Sequence, residues 1–206
     1  MVIGGLNEVR GESILDVNSE PKESKVGGRG ILKALKIEQP ESSQLGVQLD
    51  KGIYTLTYKG STATDFWIHT NEIPKKGVYG MKVSPLETNP GDNYFGFGVL
   101  RKSYLASKSV YLCYTQVQGK FIDVRNGSIC GSGEEQLVQN GWTRCCSKGS
   151  EITVKVDFNK KQFIFLLNGS NQFTRDFISG DDSYVFVFDP YYIDTKFSVQ
   201  FFHEKK

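Results

Sequence analysis

Along Glu151-Ile-Thr-Val-Lys-Val-Asp-Phe158 apolar and polar residues alternate. Ile152, Val154, Val156 and Phe158 fall on one face of an extended chain, and Thr153, Lys155 and Asp157 on the other. Asn159-Lys-Lys161 then breaks the pattern, Gln162-Phe-Ile-Phe-Leu-Leu167 resumes it, and Asn168-Gly169 ends it. This predicts two antiparallel strands joined by a polar turn, with one dry and one wet face. The same grammar recurs downstream of Gly46. Strands are predicted over Gly52–Tyr58, Asp65–His69, Val78–Ser84, Tyr94–Leu100, Ser109–Thr115, Lys120–Val124, Glu151–Asp157, Gln162–Leu167, Tyr184–Phe188 and Phe197–Phe202. In the last, Phe197, Val199 and Phe201 share a face. Punctuation comes from Lys75-Lys-Gly77, Asn89-Pro-Gly-Asp92, Asn126-Gly127, Gly131-Ser-Gly133, Asn140-Gly141 and Gly180-Asp-Asp182. Only Glu134–Gln139 suggests a helical turn. The fold class expected is all-β, a two-sheet antiparallel β-sandwich.

Residues 1–45 differ. They hold no aromatic residue and are rich in Gly, Ser, Glu and Lys, which predicts a flexible N-terminal arm ahead of a sandwich domain over 46–206. Within the arm, Ile31, Leu32, Leu35 and Ile37 make one apolar patch, suited to a helical turn or to a short strand docked on the sandwich.

Composition narrows the function. Aromatic residues make up 13% of the 206, with Phe 14 and Tyr 10, which suits the thin core between two sheets. Net charge is +2 and the basic residues are scattered in short pairs, so no stripe for nucleic acid is formed. No apolar run approaches the ~20 residues of a membrane-spanning helix. The N-terminal ten residues lack the basic-then-apolar order of a secretory signal, and a cytoplasmic location is expected. Cys113, Cys130, Cys145 and Cys146 show no Cys-x-x-Cys spacing and are read as reduced thiols rather than zinc ligands. Asn126-Gly-Ser128 and Asn168-Gly-Ser170 match the glycosylation acceptor, but each reads first as a turn.

The order of motifs resembles the SPRY domain family (SPRY/B30.2-like, concanavalin-A-like jelly roll). Gly77-Val-Tyr-Gly-Met-Lys-Val83 looks like an early strand of that family, and Tyr94-Phe-Gly-Phe-Gly-Val-Leu100 like the one after it. Val154–Gly169 resembles its late strand pair, which ends in a Phe-x-x-Asn-Gly turn. Tyr184–Pro190 and Phe197–Phe202 take the places of the final strands, so the likeness runs over roughly 46–202. Two departures are Tyr79-Gly80-Met81, where many members carry aromatic-Trp-Glu, and Lys148-Gly-Ser-Glu151, where Gly-Asp is usual. The resemblance implies two curved sheets and a non-enzymatic task, holding a peptide or protein partner on loops at one edge.

Chemistry read from the residues agrees with a binding role. His69 and His203 are far apart in sequence, and His69 beside Trp67 and Ile68 reads as a half-buried sheet residue. No Gly-x-Ser-x-Gly, phosphate loop or His-Glu-x-x-His occurs. The glycines of Tyr94-Phe-Gly-Phe-Gly98 lie in a strand pattern, where they allow close packing. Asp181-Asp182 and Glu134-Glu135 sit in loops without the convergent oxygens that calcium needs, and no cofactor is expected. Loop aromatics and arginines are what interfaces use. Those available are Arg101 and Tyr104, Trp142 and Arg144, and Tyr191 and Tyr192. Trp67 is assigned to the core, opposite Phe66 and Ile68. Two other readings use the same sandwich: a lectin with Trp142, Asn140 and Arg144 as a sugar platform, or a structural subunit docked through the arm.

Overall fold

A computed structural model describes residues 35–38, 45–58, 67–87, 95–106, 119–123, 128–131, 137–138, 148–178, 183–190 and 195–204. In chain order the strands are β1 (Ile37–Glu38), β2 (Leu45–Asp50), β3 (Ile53–Tyr58), β4 (Ile68–Thr70), β5 (Val78–Glu87) and β6 (Phe95–Arg101), followed by a 3-10 turn (Lys102–Ala106). Then come β7 (Gly119–Asp123), β8 (Ser128–Gly131), β9 (Leu137–Val138), β10 (Ile152–Asp157), β11 (Gln162–Leu167), β12 (Ser170–Asp176), β13 (Tyr184–Pro190) and β14 (Thr195–Glu204). They form two seven-stranded sheets, in the orders β1-β4-β13-β6-β7-β8-β9 and β12-β11-β10-β5-β14-β3-β2. Every pairing is antiparallel, so this is the expected antiparallel sandwich. Among the described residues no helix is long and apolar enough to cross a membrane.

Turn chemistry sets the registers. Asn168 and Gly169 have φ of 50° and 79°, and Lys51 and Gly52 have 47° and 82°. Two positive φ values in a two-residue loop make the type I′ turn whose twist matches the flanking strands. Asn168 is held as a turn residue, its Oδ1 accepting from the Glu151 amide at 2.9 Å. The Phe158–Lys161 turn is closed differently. Asp157 Oδ1 accepts from the amides of Asn159 and Lys160 at 2.9 and 3.1 Å, and Lys161 takes φ of 54°.

The core lies between the sheets. Phe97 and Val99 on β6, Phe186 and Phe188 on β13, Ile68 on β4 and Ile122 on β7 face Met81, Val83, Val154, Val156, Phe163, Phe165, Phe197 and Val199 of the other sheet, all nearly or fully buried. Each such side chain contributes about 1.5–3 kcal/mol by leaving water. Phe186 stacks across the gap on Phe201, and Phe188 on Phe197. A second, smaller cluster forms on the other face of the first sheet. There Leu100, Phe121, Val185 and Val187 are buried, with Trp67, Tyr104 and Leu105 packed against them.

Several expectations are corrected. The "wet" face of β10 is not wet throughout: Thr153 and Asp157 are buried, because β10 is a central strand between β5 and β11 whose neighbours cover it. Leu137–Val138, inside the stretch read as helical, is strand β9. Four strands lie outside the expected set: β2, β8, β9 and β12. Of the arm, residues 1–34 and 39–44 lie outside the described residues, whereas Ile37–Glu38 takes the short-strand alternative, pairing with His69 and Thr70. Leu35 and Ile37 pack against the core. The expected strand Ser109–Thr115 lies outside the described residues, as do Cys113, Cys145 and Cys146.

Candidate functional site

Of the six residues expected to meet a partner, two are described. Arg101 ends β6, two positions beyond Val99 on the core-facing row. Its guanidinium donates to the carbonyl of Ile178 at 3.0 Å, and the Tyr184 hydroxyl donates to the same oxygen at 3.3 Å. Ile178 follows β12 in the other sheet, so Arg101 ties the two sheets together at one end of the sandwich.

Tyr104 lies on the opposite side of this strand. The 3-10 turn carries it to the outer cluster, where its ring stacks on Trp67 with centroids 6.2 Å apart and planes 16° from parallel. Both rings are half-buried. Trp67 is therefore not in the main core: Ile68 occupies that side of β4, and the period of two turns Trp67 outward. Placing Trp67 in the core, opposite Phe66 and Ile68, hides this partnership. The usable signal was the alternation itself, with Ile68 inward and a large aromatic left on the outer face.

The turn that carries Tyr104 is fixed by an ionic tie. Lys102 Nζ donates to Glu72 Oε2 at 2.8 Å, Ser183 Oγ donates to Glu72 Oε1 at 3.0 Å, and the Lys102 amide donates to the Ser183 carbonyl at 2.9 Å. The Lys102 ammonium holds the Glu72 carboxyl below its ordinary value, against the opposing effect of partial burial. On the same outer face His69 is half-buried, with Nδ1 3.0 Å from the Thr70 carbonyl and 3.6 Å from Glu38 Oε2. A proton on Nδ1 satisfies that carbonyl, an assignment made from the geometry.

The remaining candidates, Trp142, Arg144, Tyr191 and Tyr192, lie outside the described residues, as does Asn140 of the sugar platform. The register does fix where β13 ends. Tyr191 follows Pro190, which pairs with Phe95, whereas Arg101 pairs with Tyr184 at the other end of β13. Those two strand ends are about 20 Å apart. The C-terminal ends of β6 and β13 thus lie at opposite ends of the sheet. Among the described residues no group of three or more His, Cys, Asp or Glu side chains converges.

No family model matches the chain, and no curated protein matches it by sequence. Solved structures do match. The SPRY domain of human HERC1 is 16% identical, with a TM-score of 0.55 over 79% of this chain and 96% of its own. A human SPRY domain is 12% identical, with a TM-score of 0.53 over 78% and 96%. The NEUZ (NHR) domain in Neuralized from Drosophila melanogaster is 13% identical, with a TM-score of 0.51 over 86% and 96%. Identities this low establish the fold: the chain has the fold of SPRY domains.

Proposed function

We propose that this chain, with its SPRY fold, is a non-enzymatic interaction module that holds a peptide or protein partner on loops at one edge of the sandwich. The observation that carries this reading is the Trp67–Tyr104 stack. Two large aromatics are left half-exposed side by side: Trp67 just before β4, and Tyr104 on a 3-10 turn that Lys102, Glu72 and Ser183 hold in place. Rings so placed present area to a partner with little side-chain entropy left to lose. Arg101 is given a different part from the one its sequence position suggested: it ties the two sheets together at the Ile178 carbonyl rather than reaching outward. Trp142 and Arg144 join as further contacts on the grounds of residue type alone.

Affinity capture from native cell extract, read by mass spectrometry, tests the proposal. Intact protein and the Tyr104→Ala/Trp142→Ala double variant are compared, with near-ultraviolet circular dichroism to show that both are folded. A small set of proteins held by the intact chain and lost by the variant is expected. Identical sets from the two would remove these loops from the binding surface.

A further inference from the structure

Sheets end in edges, and an edge strand offers unpaired N–H and C=O groups to any other strand. Among the described residues the two sheets have four edges: β1, β9, β12 and β2. Three are blunted. β1 and β9 are two residues long. β12 carries a bulge, where its pairing with β11 passes from Phe173 to Asn171, and it holds Arg175 and Asp176. β2 has none of these protections. It runs six residues, Leu45-Gly-Val-Gln-Leu-Asp50, with no proline, no break in register and a single charge at its turn end.

The type I′ turn at Lys51-Gly52 decides which backbone groups of β2 face away from β3. A two-residue hairpin loop is closed by a hydrogen-bonded pair, here Asp50 and Ile53, and bonded pairs then alternate along the ladder. Gly46, Gln48 and Asp50 therefore bond to β3. Leu45, Val47 and Leu49 point their N–H and C=O groups away from the sheet. These same three residues lie on the core-facing side, where Leu45 is 5% exposed, Val47 is half-buried and Leu49 is 60% exposed. Among the described residues, the hydrogen-bonding groups that no strand takes up and an apolar row that opens to solvent at Leu49 thus belong to one set of residues.

We propose that β2 is the contact of a symmetric dimer, in which the β2 strands of two copies pair antiparallel about a twofold axis at Val47. The row is self-complementary in that register. Val47 meets the partner subunit's Val47, and Leu45 meets the partner subunit's Leu49, each pair exchanging both of its N–H···O=C bonds on the apolar face. A slip of one residue would set this row against the polar face and is excluded by the pattern. Asp50 falls outside the three pairs, so no like charges are brought face to face. The second sheet would continue unbroken from one copy into the next. This contact uses the sheet edge and not the Tyr104 loops, so it stands or falls independently of partner capture.

The test is sedimentation velocity on the full chain from about 10 μM to about 1 mM, the range for a small interface, with amide exchange at both ends of it. A monomer–dimer equilibrium is expected, with the Val47 and Leu49 amides gaining protection as concentration rises while the Gln48 amide stays unchanged. Leu49→Lys, at an exposed position, is expected to raise the dissociation constant about 100-fold, since the axis repeats the loss in both copies. Val47→Pro removes an outward donor without touching the β3 ladder and acts in the same direction. The proposal is overturned by a monomer at every concentration. If that monomer's outward amides are protected, a segment of the same chain covers the edge; if they are fast, the edge is bare. A dimer indifferent to both variants overturns it as well.

Discussion

Two glycines show how single positions set strand spacing. A Cβ on Gly98 would lie 2.1 Å from the Lys120 carbonyl and 2.8 Å from the Phe121 Cα, both backbone atoms of β7 that cannot move without opening the ladder. Gly98→Ala is expected to lower stability by about 1–3 kcal/mol in urea unfolding. Gly46→Ala, whose new methyl would meet Thr57 at an ordinary 3.6 Å, is expected to change it by less than about 0.5 kcal/mol. Equal effects would mean that the β6–β7 approach is looser than described. Gly80 is a different case. Its missing side chain is replaced by the ring of Phe202 on β14, whose nearest atom would be 2.2 Å from a Cβ there. The departure at Tyr79-Gly80-Met81 is thus matched by a residue far along the chain. The obstacle is a half-exposed side chain, so it can be removed. Gly80→Ala should destabilise the natural chain but cost little when Phe202 is already Ala. A double-mutant cycle with no coupling between the two would reject this pairing.

At the scale of elements, the Glu72 tie joins the segment after β4, the 3-10 turn and the start of β13. Because Lys102 lowers the folded-state pKa of Glu72, the carboxylate form is favoured by folding. Its stabilisation is in full force above the ordinary value of 4.5 and fades as pH falls through the lower folded value. Glu72→Gln keeps the shape without the charge. The variant's urea midpoint is expected to fall less steeply than that of the natural chain below about pH 4.5. Parallel curves would show that the tie is too solvated to matter. No local pattern announces it, since its partners are separated by 30 and 111 residues. Strands with aromatic or β-branched alternation were legible for the opposite reason: in β10, β11, β13 and β14 the period of two is written in Ile, Val and Phe. Strands β2, β8 and β12 interrupt it with Gly, Ser, Gln or Asn, and β9, only Leu137-Val138, is too short to show a period. They are edge or near-edge elements whose strand state comes from a neighbour's ladder rather than from their own residues.

Over the whole molecule, the architecture was legible because burial on one face of every central strand imposes a period that survives in the sequence. The binding surface was not, because it depends on how strand ends are distributed between the two ends of the sandwich. Arg101 illustrates the difference. By residue type and position after a strand it looked like a contact residue, yet parity with Phe97 and Val99 turns it inward to the Ile178 carbonyl. Around that carbonyl the two sheets meet: Tyr184 donates to it from β13, Phe177 beside it packs on Phe158, Phe163 and Tyr184, and the Phe177 amide donates to Lys161. Removing the guanidinium withdraws a charge-assisted donor from a part-buried acceptor. Arg101→Ala is therefore expected to lower stability by about 1–3 kcal/mol and to speed exchange of the Phe177 amide. Tyr104→Ala, at a half-exposed ring on the outer face, should cost less than Arg101→Ala and leave that amide untouched. If instead Arg101→Ala leaves both stability and the Phe177 amide unchanged while abolishing partner capture, the guanidinium belongs to the partner and not to the joint between the sheets.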